Sequence, residues 1–226
     1  MSRVVKTVAL AVAAVALTAA VRPAMADVEI SPFAGYYVAS DLYGSTGSKV
    51  ELTNDVLYGG RITFNMSRQG ALEFAYTRTG SDAKLQTLQP GQPREKIGRV
   101  DFDTYDINFL GYQYAASPRV TPFGLIGFGW SVTHPKIDSD FTDIALANQP
   151  HSNTLFNFSF GLGTKIEMSP KLGLRLEGKW RITDTAVTTS SGIWCDPWGY
   201  CYSYASDWYD SGEFSGGLTY KFGGGY

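Results

Sequence analysis

The residues best equipped for chemistry are charged, and they fall at alternating positions. Arg61, Lys165, Arg175, Lys179, Arg181 and Lys221 supply six cations; Glu29, Glu73, Asp106, Glu167, Glu177 and Glu213 supply six carboxylates. They are densest in 172–182, where Arg175, Glu177, Lys179 and Arg181 hold odd positions and Leu172, Leu174, Leu176, Trp180 and Ile182 hold even ones. Side chains alternate along a strand, so this run is a ribbon with one charged and one oily surface. If such charged faces turn inward together, six against six makes a neutral interior. Burying ions in a narrow, low-dielectric space is tolerable only when they pair and hydrogen-bond. The interior then reads as a salt-bridged plug, with a gated pore tuned by lining charges as the competing reading.

Other constellations are weaker. The sequence holds two histidines, His134 and His151. His151 adjoins Ser152, but neighbours on a strand point to opposite faces and do not form a nucleophile–base pair. His134 lies near Ser131 with no evident carboxylate to orient it, so no catalytic residue is expected. Asp138, Ser139, Asp140 and Asp143 offer oxygen ligands for a divalent cation, yet spaced acids in a polar loop are expected to be solvated. No metal or cofactor is expected. Cys195 and Cys201 are the only cysteines. Two are too few for a zinc site, and in an exported chain they suit a loop-closing disulfide. Trp194, Trp198, Tyr200, Tyr202, Tyr204, Trp208 and Tyr209 crowd around them. These aromatics suit a membrane-interface girdle and a recognition surface equally.

The elements that must position these groups are strands. Strand one runs from about Val28 to Ala39, with Val28, Ile30, Pro32, Ala34, Tyr36 and Val38 against Glu29, Ser31, Phe33, Gly35 and Tyr37. After a polar stretch, 41–54, strand two (57–66) sets Tyr58, Ile62, Phe64 and Met66 against Arg61, Thr63 and Asn65. Strand three sets Leu72, Phe74 and Tyr76 against Glu73, Ala75 and Thr77, and a long loop is expected over 80–98. In strand four (101–114), Leu110 falls on the polar side. Strand five pairs Ile126, Phe128 and Trp130 with Gly127, Gly129 and Ser131, and a loop is expected over 134–149. Strands six and seven form the hairpin 155–183, turning at Ser169–Pro170. A loop over 184–211 precedes strand eight, where Phe214, Leu218, Tyr220 and Phe222 oppose Glu213, Ser215, Thr219 and Lys221. Connections alternate long and short along the chain.

Residues 1–26 carry Arg3 and Lys6, an apolar run from Val8 to Val21, and Ala24-Met25-Ala26. That is the plan of a Sec signal peptide, and the run is short for a spanning helix of about 20 residues. The mature chain, 27–226, then carries 16 basic and 21 acidic residues, a net charge of −5. A nucleic-acid partner is excluded on that balance, because phosphates require a basic face.

Alternation alone does not say which face is outside, since a soluble eight-stranded barrel has the same period with the faces reversed. Bulk decides it: Phe128, Trp130, Phe156, Phe158, Phe160, Trp180 and Phe214 are too large together for so small an interior. The polar face carries Gly127, Gly129, Gly161, Gly163 and Gly217, which suit a crowded lumen. The expected fold is therefore all-β, an eight-stranded antiparallel up-and-down transmembrane β-barrel. The pattern resembles the small eight-stranded outer-membrane barrels related to outer membrane proteins A and X. Its most specific element is Ser215-Gly216-Gly217-Leu218-Thr219-Tyr220-Lys221-Phe222, similar to the signal read by the barrel-assembly machinery through Gly217, Tyr220 and Phe222. Gly223 to Tyr226 depart from it by extending past Phe222.

That resemblance implies a bacterial outer-membrane location. The implied partners are outer-membrane lipid and lipopolysaccharide, and the assembly machinery during insertion. It implies a monomeric, non-enzymatic protein that is structural or interacts, even adheres, through its outer loops, with an extracellular ligand of the last loop possible. The alternative is a conduit for small hydrophobic molecules, as in barrels resembling outer membrane protein W. Lipid A-modifying barrels also exist, but the deacylase pattern of His, one residue, then Ser is absent here.

Overall fold

Eight long strands close on themselves. The computed structural model describes residues 27–40, 42–43, 49–86, 95–113, 119–137, 154–184, 193–195, 201–203 and 208–222. The barrel strands are β1 (Asp27–Ala39), β2 (Asp55–Asn65), β3 (Gly70–Gln86), β4 (Glu95–Tyr112), β5 (Val120–Ile137), β6 (Thr154–Glu167), β7 (Leu172–Asp184) and β8 (Trp208–Phe222). Each pairs antiparallel with its neighbours in sequence, and β1 pairs with β8 to shut the seam. Full closure leaves no sheet edge within the barrel wall, the condition for a β-structure to cross lipid.

The faces are inverted relative to a soluble protein. Glu29, Ser31, Phe33 and Tyr37 of β1 are buried in the lumen, while Ile30, Tyr36 and Val38 are exposed. Along β7 the charged set is buried, and Leu176 and Trp180 are exposed. Phe156, Phe158, Phe160, Leu162, Phe214 and Leu218 continue the oily exterior. An apolar surface this continuous is untenable in water and is matched by the hydrocarbon of a bilayer.

Short turns at one end are built by serine. Ser67 Oγ accepts from the amides of Gln69 and Gly70 at 3.2 and 3.0 Å. Ser169 Oγ accepts from Leu172 N at 3.1 Å. A hydroxyl that satisfies the turn amides fixes each hairpin without a long loop.

The opposite end is longer than alternation indicates. Residues 80–86 and 95–98, expected in a loop, extend β3 and β4, leaving 87–94 outside the described residues. Likewise β5 continues through His134 to Ile137, and β8 begins at Trp208. Above the wall there is no oily face to mark a strand, yet backbone pairing continues, with a register shift between Ala83 and Lys84. Lys49–Leu52 adds to this ribbon beside 83–86, and Leu42–Tyr43 pairs with Lys49–Leu52, so the polar stretch 41–54 is partly strand. Ile193–Cys195 and Cys201–Ser203 form a separate two-stranded ribbon.

Leu110 is not an irregularity. It packs in the lumen with Ala71, Phe123 and Leu125, with Tyr112 against them, as an apolar cluster towards the short turns. Gly163 makes room for it, because a Cβ there would overlap the Phe123 ring. Gly217 does the same at the seam, where a Cβ would meet the Pro32 carbonyl.

Candidate functional site

Strand β7 is the spine of the lumen. Arg175, Glu177, Lys179 and Arg181 climb it from the short-turn end, two residues or about 7 Å per step, and reach across the barrel. The Arg175 guanidinium, wholly buried, donates to both Glu73 of β3 and Glu177, and lies 4.5 Å from the Phe123 ring centroid of β5. Glu177 also receives Arg61 of β2 at 3.2 Å. Arg61 in turn donates to Ser215 at 2.7 Å and stacks 3.8 Å from the Phe33 ring of β1.

One storey up, Lys179 reaches Asp106 of β4 at 3.0 Å and Glu213 of β8 at 3.2 Å. Arg181 takes the same two carboxylates at 2.7 and 2.8 Å, and donates to Asn157 of β6 at 2.7 Å. Every barrel strand thus contributes a side chain to this ladder. Lining groups fill an eight-stranded interior, and ladder and apolar cluster together occupy it.

The lower mouth holds the remaining pairs. Lys165 bonds Glu29, and Lys221 bonds Glu167. Strand pairing places Glu29 opposite Lys221 along the backbone, as closure requires, but the two do not form the ion pair. Glu29 instead reaches over the lumen to β6, and Asn65 also donates to it, at 3.0 Å. All twelve charged residues anticipated on the polar face take part in an ion pair.

Above the ladder sits a cavity of about 20 Å³, lined among others by Thr77, Thr104, Ser131 and Phe102, with Arg181 and Glu213 at its floor. That volume suits one water molecule. Tyr37 and Tyr209 close it with a hydroxyl–hydroxyl bond of 2.8 Å. Tyr209, grouped by sequence with the loop aromatics, is therefore a buried lumen residue.

The outer surface changes character at one level. Tyr76 and Tyr105 stand side by side with centroids 5.3 Å apart, and Trp130 pairs with Tyr105 in register. Immediately beyond them, β3, β4 and β5 carry Arg78, Arg99, Asp101, Asp103, His134 and Lys136. Asp101 Oδ1 accepts from Arg99 at 3.0 Å and Oδ2 from Lys136 at 2.7 Å. Asp103 accepts from the Tyr76 hydroxyl at 2.7 Å and faces Arg78 at 3.6 Å and His134 at 3.3 Å. Arg99 continues to Asp55 at 2.8 Å. The bond from Lys136, and then that from Arg99, hold Asp101 below the usual carboxylate range.

Several sequence expectations change here. His134 does have a carboxylate partner, Asp103, but its neighbour Ser131 points inward and shares its hydroxyl with Thr104 at 2.9 Å. Opposite faces separate them, so no nucleophile–base pair forms. Sequence reasoning missed the rim cluster because it is assembled from separate segments: His134 and Lys136 fell in a stretch read as loop, Arg78 and Arg99 flanked another, and Asp101 and Asp103 opened strand four. Trp208 is exposed in β8. Trp194 and Tyr202 face one another in the short ribbon's register, as do Cys195 and Cys201. Tyr220 and Phe222 are exposed and stacked edge to face at 4.7 Å. Residues 1–26, the aspartates of 138–143, His151, Ser152, Trp198, Tyr200, Tyr204 and 223–226 lie outside the described residues.

A closed eight-stranded wall, oily outside and ion-paired within, defines a transmembrane β-barrel. The sequence matches the family model "Outer membrane protein beta-barrel domain" over residues 7–222, and the chain belongs to that family of bacterial outer-membrane proteins. No curated protein matches it. Among solved structures it is similar to the outer membrane protein OprG from Pseudomonas aeruginosa. The two are 13% identical, with 88% of this chain and 97% of that one covered and a TM-score of 0.60. It is also similar to the outer membrane protein AlkL determined in DMPC bilayers, 15% identical, covering 89% and 92%, with a TM-score of 0.51. At such identities the likeness is one of fold.

Proposed function

We propose that the protein is a non-enzymatic outer-membrane barrel with a sealed lumen, acting as a structural element or interacting through its outer loops. The observation that carries this reading is the ladder on β7. Its four charges are bonded to partners on β2, β3, β4, β6 and β8. To open a path, several buried ions would have to lose their partners at once, at several kcal/mol each. Apolar residues below the ladder and a hydroxyl pair above it reinforce the closure.

The interacting surface then belongs to the outer end, on the last connection, whose sequence carries Trp194, Trp198, Tyr200, Tyr202, Tyr204 and Trp208. The directly opposed backbone of Cys195 and Cys201 supports a disulfide, which would pre-organise that surface. Export by a cleaved signal peptide, residues 1–26, and insertion through Gly217, Tyr220 and Phe222 belong to the same reading. So does a monomer in contact with lipopolysaccharide.

Ion conductance of the refolded mature chain in a planar bilayer is the test, after an unboiled gel shift has verified folding. A silent barrel is expected. Steady, salt-dependent open levels would overturn the seal and make a conduit for small molecules the leading function. An altered lipid A mass on expression would overturn the non-enzymatic assignment.

A further inference from the structure

We infer that the outer face of β3, β4 and β5 carries a binding site for the phosphate of a membrane-anchored lipid in the outer leaflet, centred on Arg78 and Lys136. The inference rests on the barrel lying in the outer membrane and is independent of whether its lumen is sealed.

Height comes first. The row Tyr76–Tyr105–Trp130 lies in register across the three strands, and Trp130 is followed by Phe156 on β6. Interfacial Tyr and Trp mark the level at which hydrocarbon gives way to headgroups. Two residues farther along, about 7 Å up, the outward positions become Arg78 on β3, Asp103 on β4 and Val132 on β5. His134 and Lys136 follow on β5. Phosphates attached to acyl chains occupy that depth.

Charge comes second. The cluster mixes cations with aspartates, but the two are not equally presented. Arg78, Arg99, His134 and Lys136 have side chains 42–67% exposed, against 11% and 14% for Asp101 and Asp103. Asp101 and Asp103 are recessed against the strands and anchor the cations that project past them, while the more exposed Asp55 and Asp82 face Arg99. Arg78 stands 3.6 Å from Asp103 and 4.0 Å from Asp101 and bonds the Tyr76 hydroxyl; with 42% of its side chain exposed, the rest of its planar fork of donors retains capacity for an oxyanion. Lys136 reaches the same Asp101 Oδ2 at 2.7 Å, placing both cations beside one anchor.

Position around the wall comes third. At the same end of the other strands, the outward residues are Val38, Val56, Thr154, Asp184 and Asp210. None is a cation. A general interfacial ring would carry positive charge all round, whereas here it is confined to one face among the described residues. Confinement is what distinguishes a site for one headgroup from non-specific attraction.

The experiment places the mature chain in phosphatidylcholine nanodiscs doped with bis-phosphorylated lipid A and counts retained lipid A by native mass spectrometry. Wild type should retain lipid A at least about tenfold more strongly than Arg78→Ala/Lys136→Ala, both substitutions being at exposed positions. The charge-preserving pair Arg78→Lys/Lys136→Arg should keep most of the retention and serves as the folding control. Lipid A stripped of its phosphates should behave with wild type as intact lipid A does with the alanine pair. Equal retention by wild type and the alanine pair, or equal retention of the stripped lipid, would overturn the site. Displacement of lipid A by millimolar inorganic phosphate would overturn its assignment to a membrane-anchored ligand.

Discussion

The lumen and the outer rim use the same chemistry, guanidinium and ammonium on carboxylate, in opposite physical settings. Around Arg175 and Arg181 the ions are almost wholly buried, so each charge depends on its partners, and the set is effectively all or nothing. Around Arg78, Arg99 and Lys136 the cations are half exposed, so each pair contributes little and leaves donors free. Burial, not residue type, makes the first a plug and the second a surface able to exchange partners.

The sharpest way to break this contrast is Arg175→Ala. It removes the cation between Glu73 and Glu177 and the contact on Phe123, leaving Arg61, among the described residues, as the only cation bonded to Glu177. Loss of one partner from a buried ionic set costs about 3–5 kcal/mol. The measurement is the urea unfolding midpoint of the barrel in lipid vesicles. A change below about 1 kcal/mol, the range of exposed pairs, would mean the lumen is far wetter than its burial indicates.

Tyr37→Phe probes the top of the plug. Its hydroxyl bonds Tyr209, with Phe102 6.3 Å away between ring centroids. Removing one member of a buried hydroxyl pair is expected to cost about 1 kcal/mol. The same unfolding series reads it, and conductance should stay silent because the charges below are untouched.

Much of this was legible in the sequence, and the boundary of legibility is physical. Within the bilayer both faces are under strong selection by solvent: lipid requires Phe158 and Trp180 outside, and a narrow interior requires Glu177 and Lys179 to pair. That double constraint produces strict alternation, from which strand number, inversion and the twelve lumen charges follow. Above the bilayer the constraint lapses. On the outer side Asp82 and Lys84 stand where oily residues mark the same strand lower down, so 80–86, and 95–98 opposite, read as loop although the ladder continues through them. Partner choice was also illegible. Register put Glu29 beside Lys221, but long side chains choose by reach across the lumen, and Lys165 was nearer in space.

At the rim, Arg99→Ala removes contacts to Asp55 and Asp101 and should move the unfolding midpoint by less than about 1 kcal/mol, with the difference shrinking further in high salt. A loss as large as that of Arg175 would erase the distinction between the two regions.

The smallest expected effect separates them by pH. Lys136 and Arg99 bond Asp101, Arg78 stands 4.0 Å away, and its carboxyl is held below the ordinary range. A carboxyl whose folded pKa is depressed binds fewer protons folded than unfolded near its ordinary value of about 3.9. Its stabilisation is therefore complete above that value and disappears as pH falls through the lower folded value. Comparing wild type with Asp101→Asn at pH 7, 5 and 3 cancels the titration of every other group. The wild-type advantage should be the same at pH 7 and 5 and diminish at pH 3. An advantage already lost at pH 5 would place the Asp101 pKa above its ordinary value, and the cations around it would then not be its anchors.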